Sequence, residues 1–201
     1  MPNSPWYQDA IFYHIYPLGL CGAPHVNHAN ATVKGRLELL YPWLDQAQSL
    51  GATALYLGPV FESTSHGYDT RDYFHIDRRL GDDTEFARFA DAVHQRGMRL
   101  VLDGVFNHVG REFWAFQDVL ARGESSPYVN WFHGLRFGKT SPKGDPFTYE
   151  GWQGHYDLVK LNLADHAVRA HLFEAVYSWM DQFGIDGLRL DAADCIEMDF
   201  L

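Results

Sequence analysis

Four short apolar segments, separated by stretches of helical periodicity, decide what this sequence can fold into. The segment 52–59 is almost wholly apolar, which is typical of a parallel strand covered on both faces. Because helical stretches alternate with the strand-like segments, the sequence predicts an α/β fold with a parallel sheet. The predicted strands are 10–17, 52–59, 99–106 and 187–191, and the predicted helices are 37–50, 84–96 and 164–183.

The predicted helices carry their own boundary signals. Pro42 interrupts the first helix, so we expect a kink or two separate pieces. Asp82 or Asp83 is placed to cap the second helix, and Gly184 closes the third. The third helix has an apolar stripe that should form its buried face. The stripe consists of Val168, Leu172, Phe173, Val176, Trp179, Met180 and Phe183.

Residues 109–160 break the alternation of strands and helices. They show no strong apolar period and are rich in Gly, Pro, Trp and Tyr. A structureless loop of this length is uncommon inside a compact domain. We therefore interpret the segment as a small inserted subdomain after the third strand. The chain then divides into 1–108, the first part of the main domain, 109–160, the insertion, and 161–201, where the main domain continues.

Charge and apolar content exclude two classes of partner. The formal net charge is −10 and there is no basic run, so we expect neither nucleic acid nor an anionic membrane as a partner. No apolar stretch is long enough to span a bilayer. Residues 1–6 lack the basic and then apolar pattern of a secretory leader. The expectation is a soluble, cytoplasmic protein.

Polar side chains collect just after the predicted strands, at the edge where parallel α/β folds bind ligands. Arg189 and Asp191 lie two residues apart, so they point to the same side of the last strand. Such a pair is either a structural ion pair or a catalytic carboxylate that the arginine keeps ionised. No glycine-rich phosphate loop follows any strand, which disfavours a nucleotide. The other polar residues at this edge are Tyr68, Asp69, Asp103, Asn107 and His108.

Four motifs, in this order along the chain, resemble those of the alpha-amylase family of glycoside hydrolases. They are His-Gly-Tyr-Asp at 66–69, Asp-Gly-Val-Phe-Asn-His at 103–108, Val-Lys-Leu-Asn at 159–162 and Gly-Leu-Arg-Leu-Asp-Ala-Ala at 187–193. The resemblance covers essentially the whole chain. It implies that the fold is a partial TIM (β/α)8 barrel, made of the first four strands, with a small inserted subdomain after the third.

The resemblance implies the catalytic roles. Asp191 would be the nucleophile that forms a covalent glycosyl-enzyme, and Arg189 would keep it charged and oriented. Asp103 would hydrogen-bond in the same cluster, help to orient Arg189 and belong to the substrate-binding residues. A purely structural role for Asp103 is the alternative. No cofactor is implied for the chemistry.

The resemblance also implies the binding roles. His108 would bind hydroxyls of the sugar whose bond is cut, and Tyr68 would stack on that sugar with Asp69 nearby. Asn107 is similar to a position that often holds a structural calcium through its side-chain oxygen. The alternative is that Asn107 anchors the insertion.

Three tryptophans of the insertion could have either of two roles. They are either outer contacts to a sugar or the small core of the inserted subdomain, and we interpret them as core. They are Trp114, Trp131 and Trp152.

The chain departs from the family in two places. The family's general acid is a glutamate at the fifth strand, and no glutamate here stands in a matching motif. Retaining glycosidases need two carboxyl groups about 5 Å apart. We therefore predict a portion of a retaining glycosidase or transglycosidase that is inactive, or nearly so, as the isolated chain. A non-catalytic sugar-binding module is the alternative.

The second departure concerns the substrate. Asp194-Cys195 replaces the Lys-His of many starch-cutting members, which favours maltodextrin-type oligosaccharides. The expected partner is an α-glucan or a maltooligosaccharide, and hydrolysis and transglycosylation both remain open. Half a barrel would also leave its first and fourth strands unpaired at their outer edges. We therefore expect the isolated chain to self-associate.

Overall fold

Within the described part of the chain, nine short strands combine with five α-helices. The computed structural model describes residues 5–28 and 30–201. Its strands are β1 (Phe12–Ile15), β2 (Ala54–Leu57), β3 (Arg99–Gly104), β4 (His108–Gly110), β5 (Arg136–Phe137), β6 (Phe147–Thr148), β7 (Gly151–Trp152), β8 (His155–Lys160) and β9 (Gly187–Leu190). Its α-helices are α1 (Pro17–Leu20), α2 (Tyr41–Ser49), α3 (Asp83–Gln95), α4 (Trp114–Arg122) and α5 (His166–Phe183).

The main sheet has four parallel strands in the order β1, β2, β3, β9. This confirms the predicted α/β fold with a parallel sheet. Leu55, Leu57, Leu100 and Leu102 are fully buried, as expected for strands covered on both faces. In the register of β3 and β9, Asp103 lies directly opposite Arg189. The sheet itself therefore brings two of the predicted site residues together.

The helix boundaries follow the signals in the sequence. Asp82, rather than Asp83, caps α3: its Oδ1 accepts from the Glu85 amide at 2.8 Å, and the Glu85 carboxylate accepts from the Asp82 amide at 3.0 Å. The first predicted helix is in two pieces, a 3-10 turn at Arg36–Leu40 and then α2. Pro42 stands in the first turn of α2, where its missing N–H removes no helical hydrogen bond.

The buried face of α5 differs from the predicted stripe. The buried residues are Val168, Leu172, Ala175, Trp179 and Phe183. Phe173 and Met180 are 43% and 50% exposed, so their assignment to the buried face was wrong. Each follows a buried residue by one position, and one position rotates a side chain by about 100° around a helix. Apolar character alone did not distinguish the two faces.

The segment between β3 and α5 forms two small antiparallel sheets. One has the order β4, β8, β7, and the other pairs β5 with β6. The first strand of the segment, β4, pairs with its longest strand, β8, so that His108 lies opposite Lys160. The two ends of the segment are therefore close to each other. Aromatic rings fill its interior, where Phe116 packs edge-on against Phe132 and Tyr149.

Both outer strands of the main sheet leave apolar side chains in contact with solvent. Within the described part of the chain, β1 and β9 are each paired on one side only. Ile11 and Phe12 are 57% and 49% exposed. A cavity of about 580 Å³ opens beside these strands, lined by apolar residues that include Trp6 and Leu188. This face of the sheet carries apolar surface without a cover.

Two expectations from the sequence reach beyond the described residues. Residues 19–32 are rich in Gly, Ala, Asn and His, which predicts a loop. Ala29 of that loop and residues 1–4 of the segment without a leader pattern lie outside the described residues. The beginning of that loop is helical, since α1 runs through Leu20. Among residues 5–28 and 30–201, no helix is both long and apolar enough to cross a membrane.

His171 of α5 lies in a cluster of aromatic rings. The cluster contains Phe74 and rings from the 109–160 segment. The ring centroid of His171 is 5.3 Å from that of Phe74, 5.4 Å from that of Trp131 and 5.8 Å from that of Phe113. Its Nε2 is buried and makes no hydrogen bond with any described residue. Burial lowers the pKa of His171, although the charges of Glu174 and Asp72 partly oppose this.

We expect His171 to make the free energy of unfolding pH-dependent. The folded state binds the imidazole proton more weakly than the unfolded state, so this contribution is lost as the pH falls below about 6.5. His171→Gln should therefore lose less stability than the wild type between neutral and mildly acidic pH, measured by urea unfolding. The exposed His28, changed to Gln, is the matched control. Equal pH slopes for His171→Gln and the wild type would contradict the expectation.

Candidate active site

The centre of the candidate site is an arginine held between two carboxylates. Arg189 Nη1 donates to Asp103 Oδ1 at 3.0 Å and to Asp191 Oδ1 at 2.8 Å. The Asp103 side chain is fully buried, whereas Asp191 is 16% exposed. Arg189 therefore binds only the Oδ1 atom of Asp191 and orients the carboxylate through it. The Oδ2 atom makes no hydrogen bond with this arginine.

Asp103 is fixed from the other side by a tyrosine. Tyr56 Oη donates to Asp103 Oδ2 at 2.7 Å, and the Tyr56 ring stacks on His14 with centroids 4.3 Å apart. Burial raises the pKa of Asp103, although the hydrogen bonds from Tyr56 and Arg189 partly offset it. Partial burial lowers the pKa of Arg189, but its hydrogen bonds to Asp103 and Asp191 outweigh this and raise it. Arg189 therefore remains a cation.

His108 approaches Asp191 from β4. Its Nε2 lies 4.0 Å from Asp191 Oδ2, and the side chain is 1% exposed. Burial lowers the pKa of His108 to about 4, so the imidazole is neutral at neutral pH. Its Nδ1 lies 3.2 Å from Asn107 Nδ2, while Nε2 has no hydrogen-bond partner among the described residues.

A cavity of about 400 Å³ opens over Asp191. The structure thus brings together Asp191, His108 and Tyr68, with Arg189 and Asp103 directly behind Asp191. Burial and the nearby Asp103 charge raise the pKa of Tyr68 to about 12, so its hydroxyl stays protonated. The cavity is lined by His66, Tyr68, His108, Trp152, His155, Leu158 and Asp191.

Asp69 is the predicted binding residue that the structure does not bring into this cavity. Its Oδ2 accepts from Ser65 Oγ at 2.6 Å and its Oδ1 accepts from the His66 amide at 3.1 Å. The side chain is therefore occupied in shaping the 65–69 loop. Through that loop it places His66 and Tyr68, and it borders a neighbouring cavity instead. A direct contact of Asp69 with a sugar stays a prediction.

Trp152 and His155 line the cavity, and reasoning from the sequence did not select them. The interpretation of the tryptophans as core holds for Trp131, which is 8% exposed. Trp114 is 41% exposed and borders a different cavity, and Trp152 faces Asp191. The only sequence signal is the Gly-rich context at 151–154, which is typical of a tight turn but does not show where the turn points.

The surroundings of Asn107 do not favour a calcium ion. Asn107 is 2% exposed, and its backbone carbonyl accepts from the Leu161 amide at 3.0 Å. Of the described residues around the adjoining cavity, Glu150 alone is a carboxylate, and Lys160 Nζ lies 3.6 Å from it. Calcium sites usually include several carboxylates, and the single carboxylate here lies beside a lysine. The bond to Leu161 agrees with the alternative anchoring role, and calcium stays a prediction.

No group of three or more His, Cys, Asp and Glu side chains placed to hold an ion occurs within 5–28 and 30–201.

These features define an α/β protein with a polar and aromatic cavity at the carboxyl ends of its parallel strands. The family model described as the alpha amylase catalytic domain matches residues 24–200, and the chain belongs to the alpha-amylase family.

Similar proteins have names that agree with this family. A cyclomaltodextrinase from a Bacillus species is 37% identical over 97% of this chain and 37% of its own length. The intracellular maltogenic amylase of Bacillus subtilis is 35% identical over 97% of this chain and 35% of its own. The chain thus spans about a third of the length of the curated relatives it matches.

A solved structure shares the fold. The cyclic alpha-maltosyl-(1→6)-maltose hydrolase of Arthrobacter globiformis superposes with a TM-score of 0.82 at 38% identity, over 97% of this chain and 47% of the other. Structures of that enzyme in complex with its cyclic substrate and with maltose are known.

We expect Arg189 to stabilise the fold mainly by neutralising Asp103. Arg189→Ala leaves the fully buried Asp103 carboxylate without its cation. It should lower the free energy of unfolding by about 1–3 kcal/mol, which is less than for a fully buried pair because solvent screens the partly exposed Arg189. In an Asp103→Asn background the same change should have a clearly smaller effect, since no charge is left to neutralise. Urea unfolding of the four proteins at neutral pH measures both. An equal effect in the two backgrounds would disprove the coupling.

Proposed function

We propose that the chain is part of a retaining glycosidase or transglycosidase that acts on α-glucosidic bonds of maltodextrin-type oligosaccharides. The observation that carries the proposal is the Asp191 carboxylate, held by Arg189 beneath a cavity with aromatic walls. The names of the relatives support the substrate class, since they include cyclomaltodextrinase and maltogenic amylase.

In the proposed first step, Asp191 attacks the anomeric carbon of the bound sugar. The bond from that carbon to the leaving group breaks, and a covalent glycosyl ester forms on the carboxylate. Arg189 holds one carboxylate oxygen at 2.8 Å, so the other oxygen is presented to the substrate. Tyr68 supplies a ring on which the sugar stacks, and the unpartnered Nε2 of His108 meets a sugar hydroxyl.

A general acid is missing from this arrangement. Among the described residues that line the cavity, Asp191 is the only carboxylate. A natural glycoside needs a proton on its leaving oxygen, so we propose that the 201 residues alone do not cleave maltodextrins at a significant rate. The same observation favours a second candidate, a module that binds maltooligosaccharides without turnover.

Three further points belong to the proposal. The four-stranded sheet is the first half of a (β/α)8 barrel, and 109–160 is an inserted subdomain whose first and last strands lie side by side. A glycosyl ester on Asp191 reacts with water or with a sugar hydroxyl, so one site serves hydrolysis and transglycosylation. Localisation in the cytoplasm accords with a relative named intracellular.

We expect α-maltosyl fluoride to label Asp191 of the purified chain. Fluoride leaves without protonation by a strong acid, so the nucleophile alone suffices for the first step. Asp191 Oδ2 bonds to the anomeric carbon, the carbon–fluorine bond breaks, and fluoride leaves with the electron pair. Fluoride release and the mass of the labelled peptide are the measurements.

The controls separate the two candidate functions. Asp191→Asn should abolish labelling, and unactivated maltotriose should be left uncut by the wild-type chain. Absence of label on Asp191 while maltotriose still binds would favour the binding module. Turnover of maltotriose that Asp191→Ala abolishes would overturn the proposed inactivity.

We also propose that the 201-residue chain self-associates through its uncovered sheet face. Ile11 and Phe12 expose apolar surface beside the unpaired edge of β1. Sedimentation velocity should show dimers or larger species, and Phe12→Lys should shift them towards monomer. Tyr177→Lys is the control, because Tyr177 is 65% exposed on α5, outside this face. A monodisperse wild-type monomer would refute the proposal.

A further inference from the structure

We propose that Tyr56 is a positioning residue for the nucleophile, because its hydroxyl decides how Arg189 is shared between two carboxylates. The hydroxyl binds one oxygen of Asp103, and Arg189 is thereby left to hold Asp191. Tyr56 lies on β2, outside the four motifs, and is not among the described residues that line the cavity over Asp191. The inference rests on the proposed function of Asp191 and adds a residue that acts on it from behind.

A single nitrogen of Arg189 serves both carboxylates. Nη1 lies 3.0 Å from Asp103 Oδ1, 3.3 Å from Asp103 Oδ2 and 2.8 Å from Asp191 Oδ1. This nitrogen carries two hydrogens, so it cannot bind all three oxygens equally well. The bond from Arg189 to Asp191 therefore depends on how strongly Asp103 attracts the same nitrogen.

Tyr56 satisfies the Asp103 oxygen that competes with Asp191. Its Oη donates to Asp103 Oδ2 at 2.7 Å, which is shorter than the 3.3 Å from Arg189 Nη1 to the same oxygen. Burial and the hydrogen bond to Asp103 raise the pKa of Tyr56, so the hydroxyl remains a donor at neutral pH. The Asp103 side chain is fully buried, and without this donor its Oδ2 would draw Arg189 towards itself.

The guanidinium of Arg189 has room to respond. Its side chain is 44% exposed, and it borders the cavity of about 580 Å³ on the open face of the sheet. Among the described residues, its side-chain hydrogen bonds go to Asp103 and Asp191. The balance between these two carboxylates therefore sets where the guanidinium lies.

The main sheet holds Tyr56 in place. His14 of β1 lies opposite Tyr56, and the two rings stack with centroids 4.3 Å apart and planes at 13°. Tyr56 lies opposite Val101 of β3, and Asp103 is two residues further on, so it points to the same side of the sheet. Asp103 in turn lies opposite Arg189. The register of the strands thus aligns hydroxyl, carboxylate and guanidinium along one face.

The test compares the reaction of α-maltosyl fluoride with the wild type and with Tyr56→Phe. The maximal rate of fluoride release should fall about tenfold, the size expected for the loss of a hydrogen bond to a charged group. The reagent concentration that gives half of this rate should change by less than about twofold, because Tyr56 does not line the cavity. A general disturbance of the fold would alter both quantities.

Tyr149→Phe is the matched control. It also removes one tyrosine hydroxyl, which donates to the Tyr156 carbonyl at 2.9 Å within the inserted segment. This variant should keep the wild-type rate and the wild-type half-saturating concentration. Circular dichroism checks that both variants are folded. An equal fall in rate in the two variants, or a wild-type rate in Tyr56→Phe, would overturn the inference.

A crystal structure of Tyr56→Phe separates this inference from the proposed function. Arg189 Nη1 should lie within about 3.0 Å of Asp103 Oδ2 and more than about 3.5 Å from Asp191 Oδ1. Wild-type distances in that structure would refute the inference whether or not Asp191 is labelled. A displaced Arg189, together with a wild-type chain that is never labelled, would retain the role of Tyr56 in placing Arg189 and overturn Asp191 as the nucleophile.

Discussion

The site depends on the need of one buried carboxylate for a cation. The Asp103 side chain is fully buried, and a carboxylate in that position is unstable unless it is paired and hydrogen-bonded. Arg189 and Tyr56 meet this requirement from the two neighbouring strands. Since Arg189 lies opposite Asp103 in the register of β3 and β9, the ion pair also fixes that register. A slip by one residue would turn Arg189 to the other face of the sheet.

The position of Asp191 follows from this pairing. It is two residues beyond Arg189, and its amide donates to the Gly104 carbonyl at 3.0 Å, which continues the pairing of the two strands. A second arginine–carboxylate pair, which is buried, supports the loop that lines the cavity with His66 and Tyr68. Arg79 is 3% exposed and donates to Asp77 at 2.7 Å, and the same guanidinium binds the Ser65 carbonyl at the start of the loop that carries Tyr68. Two arginine–carboxylate pairs, Arg189 with Asp103 and Arg79 with Asp77, thus hold two parts of the site in place.

The sequence predicted the parts of the structure that depend on local pattern. The apolar runs gave the strands, Asp82 and Gly184 gave helix ends, and the polar residues after the strands gave the cluster of Asp103, Arg189 and Asp191. Patterns fail where an outcome depends on distant contacts. Met180 is apolar but exposed because its helical position turns away from the core. Asp69 fits a binding motif, but Ser65 and the His66 backbone occupy its carboxylate. Trp152 could be placed in the cavity only after the direction of its hairpin was known.

His108 joins the parts of the site that come from different regions of the chain. Its strand, β4, follows β3 by a few residues, and it pairs with β8 of the hairpin that carries His155. Its ring contacts Trp152 on one side and approaches Asp191 on the other. Because burial keeps the imidazole neutral, it sits between a carboxylate and an indole without adding a charge that would compete with Arg189 for Asp191. His108 therefore lies between the hairpin that carries Trp152 and the strand end that carries Asp191.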